Sequence, residues 1–242
     1  MAVERGLLII ADIAGYTSFM RLHRLSLAHA EDVTGRLLKA VIGAASGLRL
    51  VEIEGDAAFF YASLAAGEAA AKLAAEQARA MHDAFHRSQS WMVERNMCSC
   101  EGCRQAGRLR LKFVAHFGEV ASQTIKRRTK LVGVDVIVVH RMLKNRVPVA
   151  EYILLSPPLY EHADAELRAR ARPVEQELEG LSDVRAYFID IGMVGAGLPP
   201  PCSAAFGARV VETLGVALRG MPYLTHLKRP RLSARGTGPN AA

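Results

Sequence analysis

Apolar and alternating segments in the first part of the chain predict strands. Residues 6–11 form a short apolar run, which is typical of a buried strand. Residues 48–53 alternate between apolar and polar side chains, and residues 57–61 form a second apolar run. Gly55 and Asp56 stand between these two segments as a turn, so the pattern predicts a β-hairpin.

Helical spacing separates these strands. Apolar side chains at helical spacing within residues 19–42 predict helices, and the alanine-rich residues 65–86 predict one long helix. Residues 89–107 break that pattern. Residues 109–117 alternate again and predict a strand, and residues 134–145 predict a helix.

The order of the first elements predicts the fold class. It is strand, helices, hairpin, helix, strand, which is the βαββαβ ferredoxin-like plan of an α+β domain with a mainly antiparallel sheet and helices packed on it. Additional elements are expected to follow: a strand at 152–155, a helix at 158–167, and paired strands at 174–179 and 186–191. We predict one domain over residues 1–192 with an insertion at 89–107, then a C-terminal helix and basic flexible tail over 193–242.

Composition places the chain among globular proteins. Half of the 242 residues are hydrophobic and 23% are charged, which suffices for a substantial core. No apolar run approaches the roughly 18 residues that a membrane span needs, and the N-terminus lacks the order of a secretory signal. We therefore expect a cytoplasmic protein without a membrane partner.

The net charge of +7 favours an anionic partner. Part of this charge is clustered at Lys126, Arg127, Arg128 and Lys130. This cluster either supplies positive charge to the ligand or is a solvated hairpin tip. Aromatic residues make up only 6% of the chain, which argues against a stacking platform for nucleic acid. A polyanionic small molecule is the better candidate.

Two aspartates follow or interrupt the predicted strands. Asp12 ends the first apolar run, and Asp56 lies in the hairpin turn. If the two strands lie side by side, both carboxylates reach one edge of the sheet, where hard divalent ions bind one or two carboxylates together with phosphate oxygens. Each aspartate taken alone is equally explained as a turn residue or a helix cap.

Three of the four cysteines crowd together at Cys98, Cys100 and Cys103. In a cytosolic chain this predicts a metal site, such as a tetrahedral Zn²⁺ site, before it predicts a disulfide framework. A fourth ligand would come from His82, His86, Cys202 or another chain. An iron–sulfur cluster, a redox switch and three free thiols on an insertion are the alternatives.

Several motifs, in order, resemble the catalytic domains of class III adenylate and guanylate cyclases. They are ADIAGYT from residue 11, EIEGDAAFF from 52, LRLKFVAHFGEV from 109, LVGVDVIVVHRMLKN from 131, YILLSPPLY from 152 and LEGLSDVRAYFI from 178. The resemblance covers residues 7–191 and implies the ferredoxin-like core with that family's additional elements. It is closest to a bacterial branch with a cysteine-rich insertion.

The resemblance also implies a site and an assembly. Asp12 and Asp56, assisted by the Ile13 carbonyl, would bind Mg²⁺ or Mn²⁺. Two protomers would pair as a homodimer with the active sites at their interface. Arg141 lies where the family has the arginine that neutralises charge on the α-phosphoryl group, a task suited to a guanidinium.

The half of the site that selects the nucleotide departs from the family pattern. Glu52 lies at the purine-selecting position and favours guanine, because guanylate cyclases have glutamate there. The second selecting position is Lys130 instead of aspartate or cysteine. Ile137 replaces the asparagine near the ribose, and Glu179 lies where a phosphate-binding lysine is expected.

Three functions therefore stay open. The first is metal-dependent binding of a purine nucleoside triphosphate, with cyclisation to a 3′,5′-cyclic nucleotide as its reaction. The second is a catalytically degenerate cyclase-like domain that acts as a nucleotide-binding sensor or signalling adaptor. The third is a metal or redox sensor whose input is the cysteine cluster.

Overall fold

A computed structural model describes residues 3–22, 27–95, 105–126, 128–178, 180, 183–192, 205–207, 209–211 and 213–215. The strands are β1 Val3–Ala14, β2 Arg49–Glu54, β3 Ala57–Ser63, β4 Arg110–Ile125, β5 Arg128–Val132, β6 Tyr152–Leu155, β7 Arg172–Gln176 and β8 Val184–Asp190. The α-helices are α1 Tyr16–Leu22, α2 Leu27–Ala44, α3 Gly67–Arg95, α4 Val134–Arg141, α5 Pro157–Glu161 and α6 Ala165–Arg170, with a 3₁₀ turn at Ala106–Arg108.

The eight strands form one sheet in the order β2-β3-β1-β4-β6-β8-β7, and β5 pairs with β4. All pairs are antiparallel except β4 with β6. The first four strands have the order and directions of the ferredoxin-like plan, with β1 central between β3 and β4. The predicted α+β fold class is confirmed.

The sheet has a hydrophobic core on each face. Alternate residues of β1 divide between them: Leu7, Ile9 and Ala11 lie in the core under α2 and α3, while Leu8 and Ile10 lie in the core under α4. This division follows from the two-residue period of a strand. Asp12 therefore emerges on the α4 face.

Helix α3 presents one apolar stripe to the sheet. Ala70, Ala74, Ala78, Met81 and Phe85 follow each other at intervals of three or four residues, and all are buried. The small alanine side chains at the start of this stripe allow close packing. Larger side chains fill the space toward the end of the helix.

Several boundaries differ from the sequence prediction. Helix α3 continues past residue 86 to Arg95, because Gln89 and Met92 extend its buried stripe. Strand β4 extends to Ile125 through its pairing with β5. The helix predicted at 158–167 is two short helices, and Asp164 caps the second by accepting a hydrogen bond from the Leu167 amide at 2.8 Å.

Some predictions lie outside the described residues. They concern the cluster Cys98, Cys100 and Cys103, Arg127 of the basic cluster, Glu179 at the position of the expected phosphate-binding lysine, and most of the segment 193–242. Within that last segment, residues 206–207, 209–211 and 213–215 are helical. Among the described helices, none has the length and hydropathy needed to cross a bilayer.

Candidate functional site

The two predicted aspartates lie next to each other at one end of the β1–β3 pair. Asp12 is paired in register with Ala57, the residue after Asp56. The Ile13 amide donates a hydrogen bond to the Asp56 carbonyl at 3.3 Å, which fixes the turn against β1. The two carboxyl groups are themselves within hydrogen-bonding reach. The rim of the sheet therefore brings together residues that are 44 positions apart.

Negative charge at this rim is only partly compensated. Burial and the neighbouring Asp12 carboxylate raise the pKa of Asp56 to about 6. Tyr16 begins α1 beside the pair, and burial together with the Asp56 charge raises the pKa of its hydroxyl as well. Both shifts have the direction expected where a cation would be favourable.

Lys112 is a member of this site that the sequence analysis missed. Its Nζ lies 2.9 Å from Asp12 Oδ2, and the side chains are only 22% and 16% exposed. Burial would lower the pKa of Lys112, but the hydrogen bond and charge of Asp12 outweigh it and raise the pKa. The β1–β4 register pairs Asp12 with Lys112, so the alternation of β4 was the available sequence signal.

The residues present at the rim fit a divalent cation. Two adjacent carboxylates with one ammonium group leave a net negative charge, and the pKa of Asp56 shows that this charge is unfavourable as it stands. Carboxylate oxygens are the ligands that Mg²⁺ and Mn²⁺ prefer. Ile13, whose amide is bound to Asp56, lies directly beside the pair.

Glu52 and Lys130 line one cavity of about 370 Å³ on the same side of the molecule as α4. Lys130 Nζ lies 3.4 Å from Glu52 Oε1, so the two predicted selector residues form an exposed ion pair with each other. Phe59, Val136 and His140 contribute to the wall. His140 Nδ1 also lies 3.7 Å from Glu54 Oε2, which brings α4 close to the β2–β3 hairpin.

Helix α4 presents the two remaining predicted positions. The guanidinium of Arg141 lies beside Gly180, which has a positive φ of 72°. Within the described part of the chain, no hydrogen bond or ion pair joins Arg141 to Asp12 or Asp56. Ile137 is 49% exposed and offers no polar side-chain atom. The structure thus brings Asp12, Ile13 and Asp56 together, and separately Glu52 with Lys130.

Comparisons of sequence identify relatives without an assigned activity. A family model described as "Protein of unknown function (DUF2652)" matches residues 34–152. The "Uncharacterized protein Rv2561/Rv2562" of Mycobacterium tuberculosis (strain ATCC 25618 / H37Rv) is 36% identical over 208 residues. That alignment covers 85% of this chain and 95% of the relative.

Comparisons of structure identify nucleotidyl cyclase domains. The guanylate cyclase domain of RhGC from Catenaria anguillulae, solved in complex with GTP, has a TM-score of 0.56 at 16% identity, covering 78% of this chain and 98% of that one. The guanylyl cyclase Cya2 has a TM-score of 0.55 at 18% identity, covering 84% and 98%. A bacterial light-regulated adenylyl cyclase has a TM-score of 0.56 at 12% identity, covering 78% of this chain and 91% of that one. These likenesses show a class III cyclase fold.

Proposed function

This chain belongs to the family of the uncharacterized protein Rv2561/Rv2562, and from that premise we propose that it binds a purine nucleoside triphosphate together with a divalent metal ion. The observation that carries the proposal is the contact between Asp12 and Asp56 at one rim of a cyclase-like sheet. A bound Mg²⁺ or Mn²⁺ would supply charge neutralisation for the triphosphate oxygens.

The chain's own residues account for the rest of this proposal. Asp12 and Asp56 provide the carboxylate oxygens that would hold the cation. Lys112 keeps the Asp12 side chain oriented through its 2.9 Å ion pair and leaves the site with a single excess negative charge. The hydrogen bond from Ile13 to the Asp56 carbonyl holds the turn that presents Asp56.

We assign the base to the cavity beside Glu52 and Lys130. Guanine presents an oxygen acceptor at O6 and N–H donors on the same edge. An ammonium can only donate hydrogen bonds and a carboxylate can only accept them. Lys130 would therefore donate to O6, and Glu52 would accept from the N–H groups. Their 3.4 Å separation places donor and acceptor side by side. This arrangement favours GTP over ATP.

Cyclisation is the second candidate function, and the retained carboxylate pair favours it. Arg141, from a partner protomer, would stabilise charge on the α-phosphoryl oxygens as the ribose 3′-oxygen attacks phosphorus and pyrophosphate leaves. The exposed, apolar Ile137 argues against cyclisation, since it cannot form a hydrogen bond with the ribose. The degenerate sensor is therefore the alternative to turnover, with the same ligand.

One experiment tests binding and turnover separately. Purified protein is titrated with GTP and with ATP in the presence of Mn²⁺, by calorimetry, and the same mixtures are assayed for 3′,5′-cyclic product. We expect metal-dependent binding that is tighter for GTP, and Asp56→Ala to weaken it by about 10-fold or more through loss of one of two close charges. Glu68→Ala, which removes an exposed carboxylate from the start of α3, is the matched control.

Each result has a definite reading. Binding with cyclic product that disappears in Asp56→Ala supports a cyclase, and binding without product supports the sensor. The proposed function would be overturned if neither GTP nor ATP binds in the presence of Mn²⁺ or Mg²⁺ to protein that circular dichroism shows to be folded.

A further inference from the structure

A second group of ligating side chains lies on the opposite face of the sheet from Asp12. His82 and His86 are one helical turn apart on α3, and Glu151 immediately precedes β6. His86 Nε2 lies 2.7 Å from Glu151 Oε1 and 3.1 Å from His82 Nε2, and His82 Nε2 lies 3.4 Å from the same oxygen. The three ligand atoms therefore lie within 3.4 Å of one another.

The surroundings fix the hydrogen atoms of His86. The Gln89 amide nitrogen donates to the carbonyls of Ala106 and Leu109, both at 2.8 Å, so its oxygen is left as an acceptor. That oxygen lies 3.0 Å from His86 Nδ1. Nδ1 must therefore carry a hydrogen and donate it, and in the neutral ring Nε2 is left with a lone pair.

This lone pair points at another acceptor. Glu151 Oε1 already accepts a hydrogen bond from the Leu111 amide at 3.1 Å and has one further lone pair, which faces His86. A 2.7 Å contact between two acceptors requires a cation between them, which is either a proton on Nε2 or a metal ion. Burial raises the pKa of Glu151, but the hydrogen bonds from His82, His86 and Leu111 outweigh it and hold that pKa below its usual range.

The dimensions of the group match a transition metal. Around a tetrahedral Zn²⁺ with bonds of about 2.0–2.1 Å, neighbouring ligand atoms are about 3.3 Å apart, and the observed separations are 2.7–3.4 Å. Two imidazoles and one carboxylate are a ligand set that Zn²⁺ uses in proteins. Gln89 plays the part of the outer partner that orients a ligating histidine.

We propose that His82, His86 and Glu151 form a Zn²⁺ site separate from the Asp12–Asp56 rim. His82 borders a cavity of about 380 Å³, which leaves space for a water or small ligand in the fourth position and provides a path for the metal. The charged side chains of Arg79, Asp164 and Arg170 line the same cavity together with apolar side chains such as Ile153 and Ile189.

The position of this site predicts what it stabilises. The metal would join the middle of α3 to the start of β6 and, through the Leu111 amide on Glu151, to β4. Leu111 is followed by Lys112, whose side chain pairs with Asp12 on the opposite face. The metal would therefore fix the strand that presents Lys112 to the rim.

The test uses the full chain stripped with a chelator and then titrated with Zn²⁺ or Co²⁺. We expect one ion per chain at this site, a rise in melting temperature, and Co²⁺ absorption without the thiolate charge-transfer band that cysteine ligands produce. Cys98→Ser/Cys100→Ser/Cys103→Ser, which removes the predicted cysteine site, is expected to keep this binding. In that background, His86→Ala and Glu151→Gln should each weaken it about 100-fold or more, and Gln89→Leu by about 10–100-fold.

His162→Ala removes an exposed histidine outside the group and is the matched control, with unchanged affinity expected. The proposal is overturned if the variant without the three cysteines binds neither ion. It is also overturned if His82→Ala, His86→Ala and Glu151→Gln all bind as tightly as their parent. Where a variant does not fold by circular dichroism, the Co²⁺ spectrum of the cysteine-free parent decides, since absence of a Co²⁺ complex contradicts the site.

Discussion

Asp56 combines two opposing requirements in one side chain. It is partly buried against Asp12, and both conditions disfavour its ionised form, so its pKa is raised to about 6. A metal ion would reverse this preference by compensating the charge. The residue is thus unfavourable for the metal-free fold at neutral pH and favourable for binding.

Asp56→Asn is expected to stabilise the metal-free protein above about pH 6. The folded pKa of about 6 exceeds the unfolded value of 3.8, so the contribution of Asp56 to stability is complete below the unfolded pKa and is lost as pH rises through the folded pKa. We expect the variant to gain about 1–3 kcal/mol in free energy of unfolding at pH 7.5 and much less at pH 4.5. Urea unfolding in the presence of a chelator measures this difference.

Glu68→Gln, at an exposed carboxylate of α3, provides the comparison for loss of a charge alone. Its free energy of unfolding should fall by no more than about 1 kcal/mol, the helix-dipole contribution of a carboxylate in the first turn, and the variant should show no gain in stability at pH 7.5. An Asp56→Asn variant with the same pH dependence as the wild type would show that the two carboxylates do not interact in the folded protein.

Among the elements, α4 packs on the sheet through the buried Val139 and is also joined to β4 by the Asp135 carboxylate. Asp135, in the first turn of α4, accepts a hydrogen bond from the Glu119 amide at 2.6 Å and lies 3.0 Å from His116 Nε2. Gly118 makes this approach possible, because a Cβ at that position would overlap the Asp135 side chain. This contact therefore helps to position the helix that carries Arg141 and Ile137, together with the packing of Val139.

Gly118→Ala is expected to lower the free energy of unfolding by about 1–3 kcal/mol, since the added methyl displaces Asp135 and overpacks the contact. Denaturant unfolding measures the change. Gly43→Ala is the matched control: Gly43 is exposed in α2 with no atom within 4 Å of an added Cβ. It should be neutral or stabilising by up to about 1 kcal/mol. Equal destabilisation by both substitutions would contradict the role of Asp135.

At the scale of the whole molecule, Arg141 forms no hydrogen bond or ion pair with the Asp12–Asp56 rim in the described part of its own chain. The resemblance to class III cyclases implies that a second copy supplies the arginine. This makes the assembly itself testable. A head-to-tail homodimer would join the Asp12–Asp56 rim of one protomer to α4 of its partner.

Mixing two inactive variants distinguishes a shared site from a site within one chain. If the protein cyclises a nucleotide, Asp56→Ala and Arg141→Ala should each lose product formation, and an equal mixture should regain roughly a quarter of the wild-type rate, because half of the dimers are mixed and each has one intact site. Light scattering after size exclusion checks the mass. Loss without recovery in a dimeric protein would place Arg141 in its own chain's site or outside any site.

Prediction from sequence succeeded where information is local and failed where it depends on packing. The apolar run at residues 6–11, the period of two in residues 109–117 and the alanine-rich start of α3 were sufficient for the order of the core elements. The end of α3 was missed, because Gln89 is polar in sequence but buried against the carbonyls of Ala106 and Leu109. The sequence predicted that Asp12 and Asp56 lie close together, as they do, but omitted Lys112, because its contact with Asp12 depends on the register of β1 with β4.

The sequence by itself determined the α+β plan and the position of each aspartate at a strand end, because periodic burial and turn residues are properties of a single segment. Only the tertiary structure decided which distant groups meet: Lys112 with Asp12, Lys130 with Glu52, and Glu151 with two histidines of α3. Those contacts depend on strand register and on helix packing across a sheet. Both are fixed by the fold as a whole, since a shift of one residue in strand register would turn Lys112 or Lys130 to the other face of the sheet.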